Sequence, residues 1–339
     1  MEQVFNSDYL VASDQYSEIM NSVVLPFLSS REKACRINGY DNKPLYCVSY
    51  HADNPLGTVL ILHGFTENAY KFAELIYSLL NMHYAVIAYD QRGHGRSWRD
   101  DQVSDASVTH VDHFEDYVKD LKCVCDSVLP DFPKPWTVFS HSMGGAVAAW
   151  YLEENPETFD AAVMSAPMIA PNTGGIPKFI VRLICNTAKI FGHGKNHPFF
   201  MKAYSGPEDF NTSCATDPIR FAWFDHVKAS TKEFQNSIPS YQWSLESVNV
   251  TDVLLAPDAP EKIKCPVLLF AADQDDSVMP LPQKSFIERV GKGQFVFVEG
   301  SRHEIYRSKN DVLFPWWHMT LEFLSDPEAF VSFDKKGDA

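Results

Sequence analysis

Between Trp136 and Asn155 the chain runs Trp136-Thr-Val-Phe-Ser-His-Ser-Met-Gly-Gly145 and continues directly into an alanine-rich helical stretch. A strand that feeds a helix through so short a turn needs small residues two before and two after the central serine, because strand and helix pack closely where they part. Gly144 and Gly145 meet this downstream, and upstream the position is held by Ser140, small but not glycine. Such a turn belongs in a mostly parallel sheet covered by helices on both faces, which narrows the possible architectures more than composition does.

The rest of the chain has the matching rhythm. Residues 1–30 read as an irregular or helical lead-in, and Arg31–Tyr50 as two strands around a turn at Asn38-Gly-Tyr-Asp-Asn42. Gly57–Leu62, Tyr84–Tyr89, Trp136–Phe139 and Ala161–Ser165 are short apolar runs of the kind buried on both sheet faces. Helical stretches at Ala69–Asn81, Val111–Val128 and Gly144–Asn155 separate them. From Ala166 to Pro257 the alternation stops: Pro167, Pro171, Gly174-Gly175 and Pro177 punctuate aromatic-rich helical pieces with no evident buried strand. It resumes with strand Val267–Phe270, helix Pro282–Val290, strand Gln294–Val298 and helix Val312–Leu324. The expected organisation is therefore a core made of residues 1–165 and 258–339, with residues 166–257 inserted as a mainly helical cap.

A formal net charge of −15 disfavours nucleic acid, whose phosphates call for clustered Lys and Arg, and it opposes anionic bilayers overall. The stretch Met1–Asp8 has no basic segment leading into an apolar one, and no apolar run is long enough to span a bilayer. Seven scattered cysteines, with Cys123-Val-Cys125 lacking zinc-site spacing, are expected to be reduced thiols of a cytoplasmic protein.

Exposed on its turn, the Ser142 hydroxyl is placed for nucleophilic attack, with the backbone N–H of Met143 and the positive end of the following helix aimed at the same point. A serine nucleophile needs a base, and the base needs an acid to hold its tautomer. This type of sheet supplies them in the order Ser, acid, His. The last strand ends at Glu299-Gly-Ser-Arg-His303, so His303 is the candidate base. His63, His94 and His141 precede the serine, and His318 lies in an apolar helix where packing is expected. The acid lies in Asp273-Gln-Asp275-Asp276, any of whose three carboxylates reaches the right region. A second N–H donor is expected from Phe65, after the His63-Gly64 strand end. Glu67, Arg92 and His94 are expected to tie loops together rather than react.

Several segments, taken together, resemble the bacterial lysophospholipase and monoacylglycerol lipase family of α/β-hydrolase-fold serine hydrolases: His63-Gly-Phe-Thr-Glu67, Asp90-Gln-Arg-Gly-His-Gly-Arg-Ser97, Phe114-Glu-Asp-Tyr-Val-Lys-Asp120, Ser140-His-Ser-Met-Gly-Gly145, Ser165-Ala-Pro-Met168 and Gly300-Ser-Arg-His-Glu-Ile305. They cover both core segments. The resemblance implies an α/β-hydrolase fold, hydrolysis of single-chain lipid esters through an acyl-enzyme, and no metal or organic cofactor. In that family the acid stands three residues after a small residue and three before an apolar one, a frame that selects Asp275 between Ala272 and Val278. The 166–257 segment resembles the family mainly in position and length, with Ser240–Ser247 its best local match.

Aromatic residues are abundant in that segment: Phe179, Phe191, Phe199, Phe200, Phe221, Trp223, Phe224, Tyr241 and Trp243. They suit an acyl tunnel, although each also suits a small core of the cap itself. Lys178, Arg182 and Lys189 are set among bulky apolar residues at near-helical spacing, a pattern of a helix resting on a membrane surface and equally of a buried helix with solvated basic residues. Two other functional classes remain open: a different capped serine hydrolase (carboxylesterase, thioesterase or prolyl aminopeptidase-like) and a non-catalytic ligand-binding scaffold.

Overall fold

The computed structural model describes residues 4–333, so the first three residues of the expected lead-in lie outside the described range. The lead-in holds the short helices α1 (Tyr16–Ile19) and α2 (Leu25–Ser29), joined by a wider π-type turn. Strands β1 (Lys33–Asn38), β2 (Pro44–Tyr50), β3 (Gly57–Leu62) and β4 (Tyr84–Tyr89) follow, with helix α3 (Ala73–Asn81) between the last two. Then come β5 (Val108–Thr109), α4 (Glu115–Ser127), β6 (Trp136–His141), α5 (Met143–Glu154) and β7 (Ala161–Ser165). The 166–257 segment carries α6 (Lys178–Ile190), α7 (Pro218–Ser230), β8 (Ile238–Pro239) and α8 (Tyr241–Leu254). The chain closes with β9 (Val267–Gln274), α9 (Pro280–Ile287), β10 (Gly293–Arg302), α10 (Asn310–Ser325) and α11 (Pro327–Phe333).

Eight strands form one sheet in the order β1-β2-β4-β3-β6-β7-β9-β10. Among the described strand pairs of this sheet, only β1–β2 and β2–β4 are antiparallel. Every residue of β3 and β4 is buried, and their side chains alternate between two cores. Leu60, Leu62 and Val138 pack with α4 and α5 residues such as Leu121 and Val147. Val59, Ile61 and Phe139 pack on the other face with Leu75, Leu79, Trp316 and Trp317. This is the α/β-hydrolase architecture, and it sets the C-terminal ends of the parallel strands along one edge, where crevices form in such sheets.

Several boundaries differ from those read in the sequence. β9 runs four residues beyond its apolar segment into Gln274, and β10 continues to Arg302 past a register irregularity after Val298. The pairing Arg302↔Gln274 draws the polar ends of both strands together, something hydrophobic periodicity does not register. α9 begins at Pro280 rather than Pro282, since proline costs no hydrogen bond in a first helical turn. The 166–257 segment does contain a buried strand, β8, which pairs in parallel with β5 and ties that segment to the core. Two residues are too few to show a period.

His318 is also placed differently. α10 turns Trp316 and Trp317 inward and His318 outward, where its side chain is 57% exposed beside Asp8 and Glu322. All seven cysteines are free. Among the described residues no helix is long and apolar enough to cross a membrane.

Candidate active site

The turn between β6 and α5 carries Ser142 at φ 51°, ψ −119°, a left-handed conformation that costs a non-glycine residue energy and is sustained by its surroundings. Its N–H donates to the Ser165 carbonyl at the end of β7, and its carbonyl accepts from Gly145 and Met168. The two glycines are needed for contact. A Cβ on Gly144 would sit 2.5 Å from the Leu62 carbonyl oxygen, and one on Gly145 would sit 2.4 Å from the Pro167 Cβ. Ser140 is accommodated because its hydroxyl donates to the Val163 carbonyl at 3.2 Å.

His303 follows directly on β10. Its Nε2 lies 2.7 Å from the Ser142 Oγ and its Nδ1 2.8 Å from the Asp275 Oδ2. The carboxylate can only accept, so Nδ1–H donates to it and Nε2 faces the Ser142 hydroxyl as an acceptor. Asp275 is held in turn: its Oδ1 accepts from the N–H groups of Ser277 and Val278 at 2.9 and 3.0 Å. Of the three carboxylates in the loop, Asp275 alone is turned inward. Asp273 accepts from Gly300 N–H, Asp276 from the Ser277 hydroxyl, and both residues are exposed.

Burial opposes charge on His303, but the Asp275 carboxylate, with Glu304 and Glu67 nearby, outweighs it and holds the imidazole above its usual range. Burial likewise works against the Asp275 anion, and His303 together with the two backbone donors wins, keeping the carboxyl below the ordinary value. His141, whose ring centre is 4.8 Å from that of His303, is pushed down to about 4 by burial and stays neutral.

Met143 opens α5, where first-turn N–H groups have no partner within the helix. Phe65 stands in the loop after β3 with its ring 4.0 Å from that of Trp243. Among the described residues neither N–H is taken by a hydrogen bond. The polar residues of the neighbouring motifs tie loops together. Arg92 grips Asp120 through two bonds of 2.6 and 2.7 Å and joins Asp116 at 3.2 Å, fixing the 90–97 loop to α4. His94 donates from Nδ1 to the Arg92 carbonyl. Glu67 accepts from the Gly64 N–H, the Lys71 ammonium and the Tyr306 hydroxyl.

Ser142 and His303 open into a cavity of about 520 Å³, mostly apolar in lining. Of the aromatics singled out in the sequence, Phe200, Tyr241 and Trp243 line it. Phe221, Trp223 and Phe224 are buried elsewhere, and Phe179, Phe191 and Phe199 face outward. Much of the remaining wall comes from residues passed over at first: Val181, Ile184 and Cys185 of α6, Met201 and Val248. The spacing of the three α6 residues, i, i+3 and i+4, is the signal that marks them as one helix face. Lys178 and Arg182 both reach Asp252 on α8, so two of the three basic residues of α6 are paired within the protein. Away from the cavity, Asp100, His110 and Asp112 bring one ligand-type atom each within 4.8 Å, but the Lys195 ammonium already sits 2.7 Å from Asp100.

The chain is 26% identical to lysophospholipase L2 of Escherichia coli K12 across 94% of both proteins. It is 29% identical to human monoglyceride lipase over 42% of this chain and 45% of that one. Among solved structures it superposes on Paleococcus ferrophilus monoacylglycerol lipase with TM-score 0.63, at 22% identity, over 85% of this chain and 98% of that one. A soluble variant of Saccharomyces cerevisiae monoglyceride lipase, in complex with a substrate analog, superposes with TM-score 0.68 at 17% identity, over 88% and 96% of the two chains. Both superpositions demonstrate the common fold. Residues 53–310 match the Hydrolase_4 family, described as serine aminopeptidase S33, and with that match spanning both strand groups around Ser142 and His303, this chain is a serine hydrolase belonging to the Hydrolase_4 family.

Proposed function

We propose that the protein hydrolyses carboxylic esters of single-chain lipids, lysophospholipids or monoacylglycerols, with Ser142 as nucleophile, His303 as base and Asp275 as its orienting acid. The observation that carries this reading is His303 bridging Ser142 Oγ and Asp275 Oδ2 at 2.7 and 2.8 Å on the floor of an apolar cavity. As Oγ attacks the ester carbonyl, its proton passes to His303 Nε2, and the imidazolium is stabilised by Asp275. The oxyanion accepts from the N–H groups of Phe65 and Met143. Collapse expels the alcohol, which takes the proton from His303. Water, deprotonated by the same imidazole, then releases the fatty acid from the serine.

The names of the relatives, lysophospholipase L2 and monoglyceride lipase, support the lipid assignment. The family description also raises an aminopeptidase reading. An N-terminal ammonium in the cavity would need a free carboxylate, whereas the two acids lining it, Glu67 and Glu304, are already paired with Lys71 and Arg307. The ester reading is therefore favoured. Turnover of monoacylglycerol, lysophosphatidylcholine, a short aryl ester and a prolyl anilide tests it: fatty acid release from the lipids supports the assignment, and cleavage of the anilide alone overturns it.

In this account residues 166–257 act as a cap whose α6 and α8 enclose the acyl chain. Phe179, Leu183, Ile190, Phe191 and Phe199 are each at least 65% exposed and lie on or just beyond α6, which also lines the cavity. The cap then meets a membrane or micelle surface through these apolar side chains, as a peripheral contact.

A further inference from the structure

Glu67 is almost fully enclosed, its side chain 2% exposed, and it meets two loops at once. Its Oε2 accepts from the Gly64 N–H at 2.5 Å, one residue before the Phe65 N–H. Its Oε1 accepts from the Tyr306 hydroxyl and from the Lys71 ammonium at 3.0 Å, with the His141 Nε2 at 3.7 Å. Lys71 reaches on to Glu304 at 2.6 Å, and Glu304 holds Arg307 at 2.6 Å. Glu304, Tyr306 and Arg307 all belong to the turn that begins at His303. One carboxylate thus anchors both the loop carrying the Phe65 donor and the loop carrying the base.

The fit leaves little freedom. A Cβ on Gly64 would come within 2.9 Å of both the Glu67 Oε2 and the Ser142 Cβ, so the Gly64 backbone lies close against its anchor and the nucleophile together. Two carboxylates, Glu67 and Glu304, stand against two cations, Lys71 and Arg307, so no member is a lone buried charge. The network lies beside His303, on whose imidazole Glu304 and Glu67 act electrostatically. What it adds there is direction: the Gly64 N–H bond sets where the following N–H points.

We propose that Glu67 is a positioning residue for the reaction described above. Its carboxylate aims the Phe65 N–H at the carbonyl bound to Ser142 and, through Tyr306 and Lys71, holds that donor in register with His303. The assignment rests on the Ser142 reading. Glu67→Gln keeps an acceptor for the Gly64 N–H but gives up the charge, whereas Glu67→Ala gives up both.

The experiment compares wild type, Glu67→Ala, Glu67→Gln and Ser142→Ala, after their folding is checked by circular dichroism and melting. Two readouts are used: kcat and KM on a short aryl ester across pH, and the rate at which a fluorophosphonate is captured. Loss of an oxyanion donor costs on the order of 10²-fold in kcat. Glu67→Ala is therefore expected to lose about that much kcat with KM changed less than about threefold, and Glu67→Gln to recover at least about tenfold of it. The charge is read separately. Glu67 and Glu304, with Asp275, face the His303 imidazolium, so both variants are expected to move the acidic limb of kcat/KM to lower pH, which general destabilisation does not do. A folded Glu67→Ala with kcat and acidic limb like those of wild type overturns the positioning role alone. If wild type neither turns over ester nor captures the fluorophosphonate, the Ser142 reading and this one fall together. Should Glu67→Ala not fold, Glu67→Gln decides: an unmoved acidic limb with unchanged kcat rejects the proposal.

Discussion

His303 Nδ1 lies 2.8 Å from the Asp275 Oδ2, and the carboxylates of Asp273 and Asp276, two residues before and one after in the chain, are turned away to other partners. A run of three acids is thereby resolved by direction rather than by charge. The consequence is a sharp contrast among conservative variants. Asp275→Asn is expected to lower kcat by about 10⁴-fold, because an amide no longer enforces the donor tautomer at Nδ1. Asp273→Asn and Asp276→Asn are expected to stay within about threefold of wild type. Steady-state kinetics on an aryl ester distinguish the three.

The pH dependence follows from the same pair. Burial alone would depress the His303 pKa, but Asp275 leads a set of acids that raises it. In the proposed reaction His303 acts as a base only when neutral, so activity is expected to be present at high pH and lost as pH falls through that raised value. The acidic midpoint of kcat/KM is expected above the ordinary imidazole value of about 6.5. A profile from pH 5 to 9 checks this, and a midpoint at or below that value contradicts it.

Much of this site is legible in the sequence because its signals are local. Ser142 is framed by Gly144 and Gly145 only a few residues away, so the signal is local even though the contact that requires Gly144, with the Leu62 carbonyl at the end of β3, is a tertiary one. His303 was reachable because it directly follows the last strand. The cavity wall was not legible in the same way. Phe200 and Phe221 look alike in sequence, yet one lines the cavity and the other is buried against other elements, because tertiary packing and not residue type decides. The Glu67–Lys71–Glu304 linkage was equally hidden, since 233 residues separate its last two members. His318 faces solvent rather than the core because an otherwise apolar helix still has a wet face, which residue composition alone does not reveal.

Surface association is expected to depend on apolar side chains more than on basic ones. Phe179→Ser, Leu183→Ser and Ile190→Ser together remove three exposed side chains worth roughly 1.5–3 kcal/mol each on full burial. Even partial insertion makes the loss of affinity for phosphatidylcholine vesicles more than about tenfold in a co-sedimentation assay. Lys178→Gln with Arg182→Gln is expected to change it little, because Asp252 already pairs with both. Equal vesicle binding by the triple variant and wild type contradicts the proposed contact.

A stability prediction concerns Glu153, buried at the end of α5 and pushed up to about 8 by burial. Its folded pKa is above its unfolded value of about 4.3, so the folded state retains a proton that the unfolded state gives up. Stability from this group is therefore lost as pH rises from about 4.3 and levels off above the folded pKa. Glu153→Gln removes that dependence. Relative to wild type, the variant is expected to gain on the order of 2–4 kcal/mol between pH 4.5 and pH 8. Urea unfolding at the two pH values measures it, and a difference that does not change with pH contradicts the assignment.

The central claim is that Ser142 attacks the ester bond of a single-chain lipid. Fatty acid release from monoacylglycerol and from lysophosphatidylcholine, measured side by side for wild type and Ser142→Ala, tests it most directly. Release by wild type with a loss of at least about 10³-fold in the variant is the result expected from removing a serine nucleophile. Equal release by the two proteins would contradict the claim and place the chemistry on another residue.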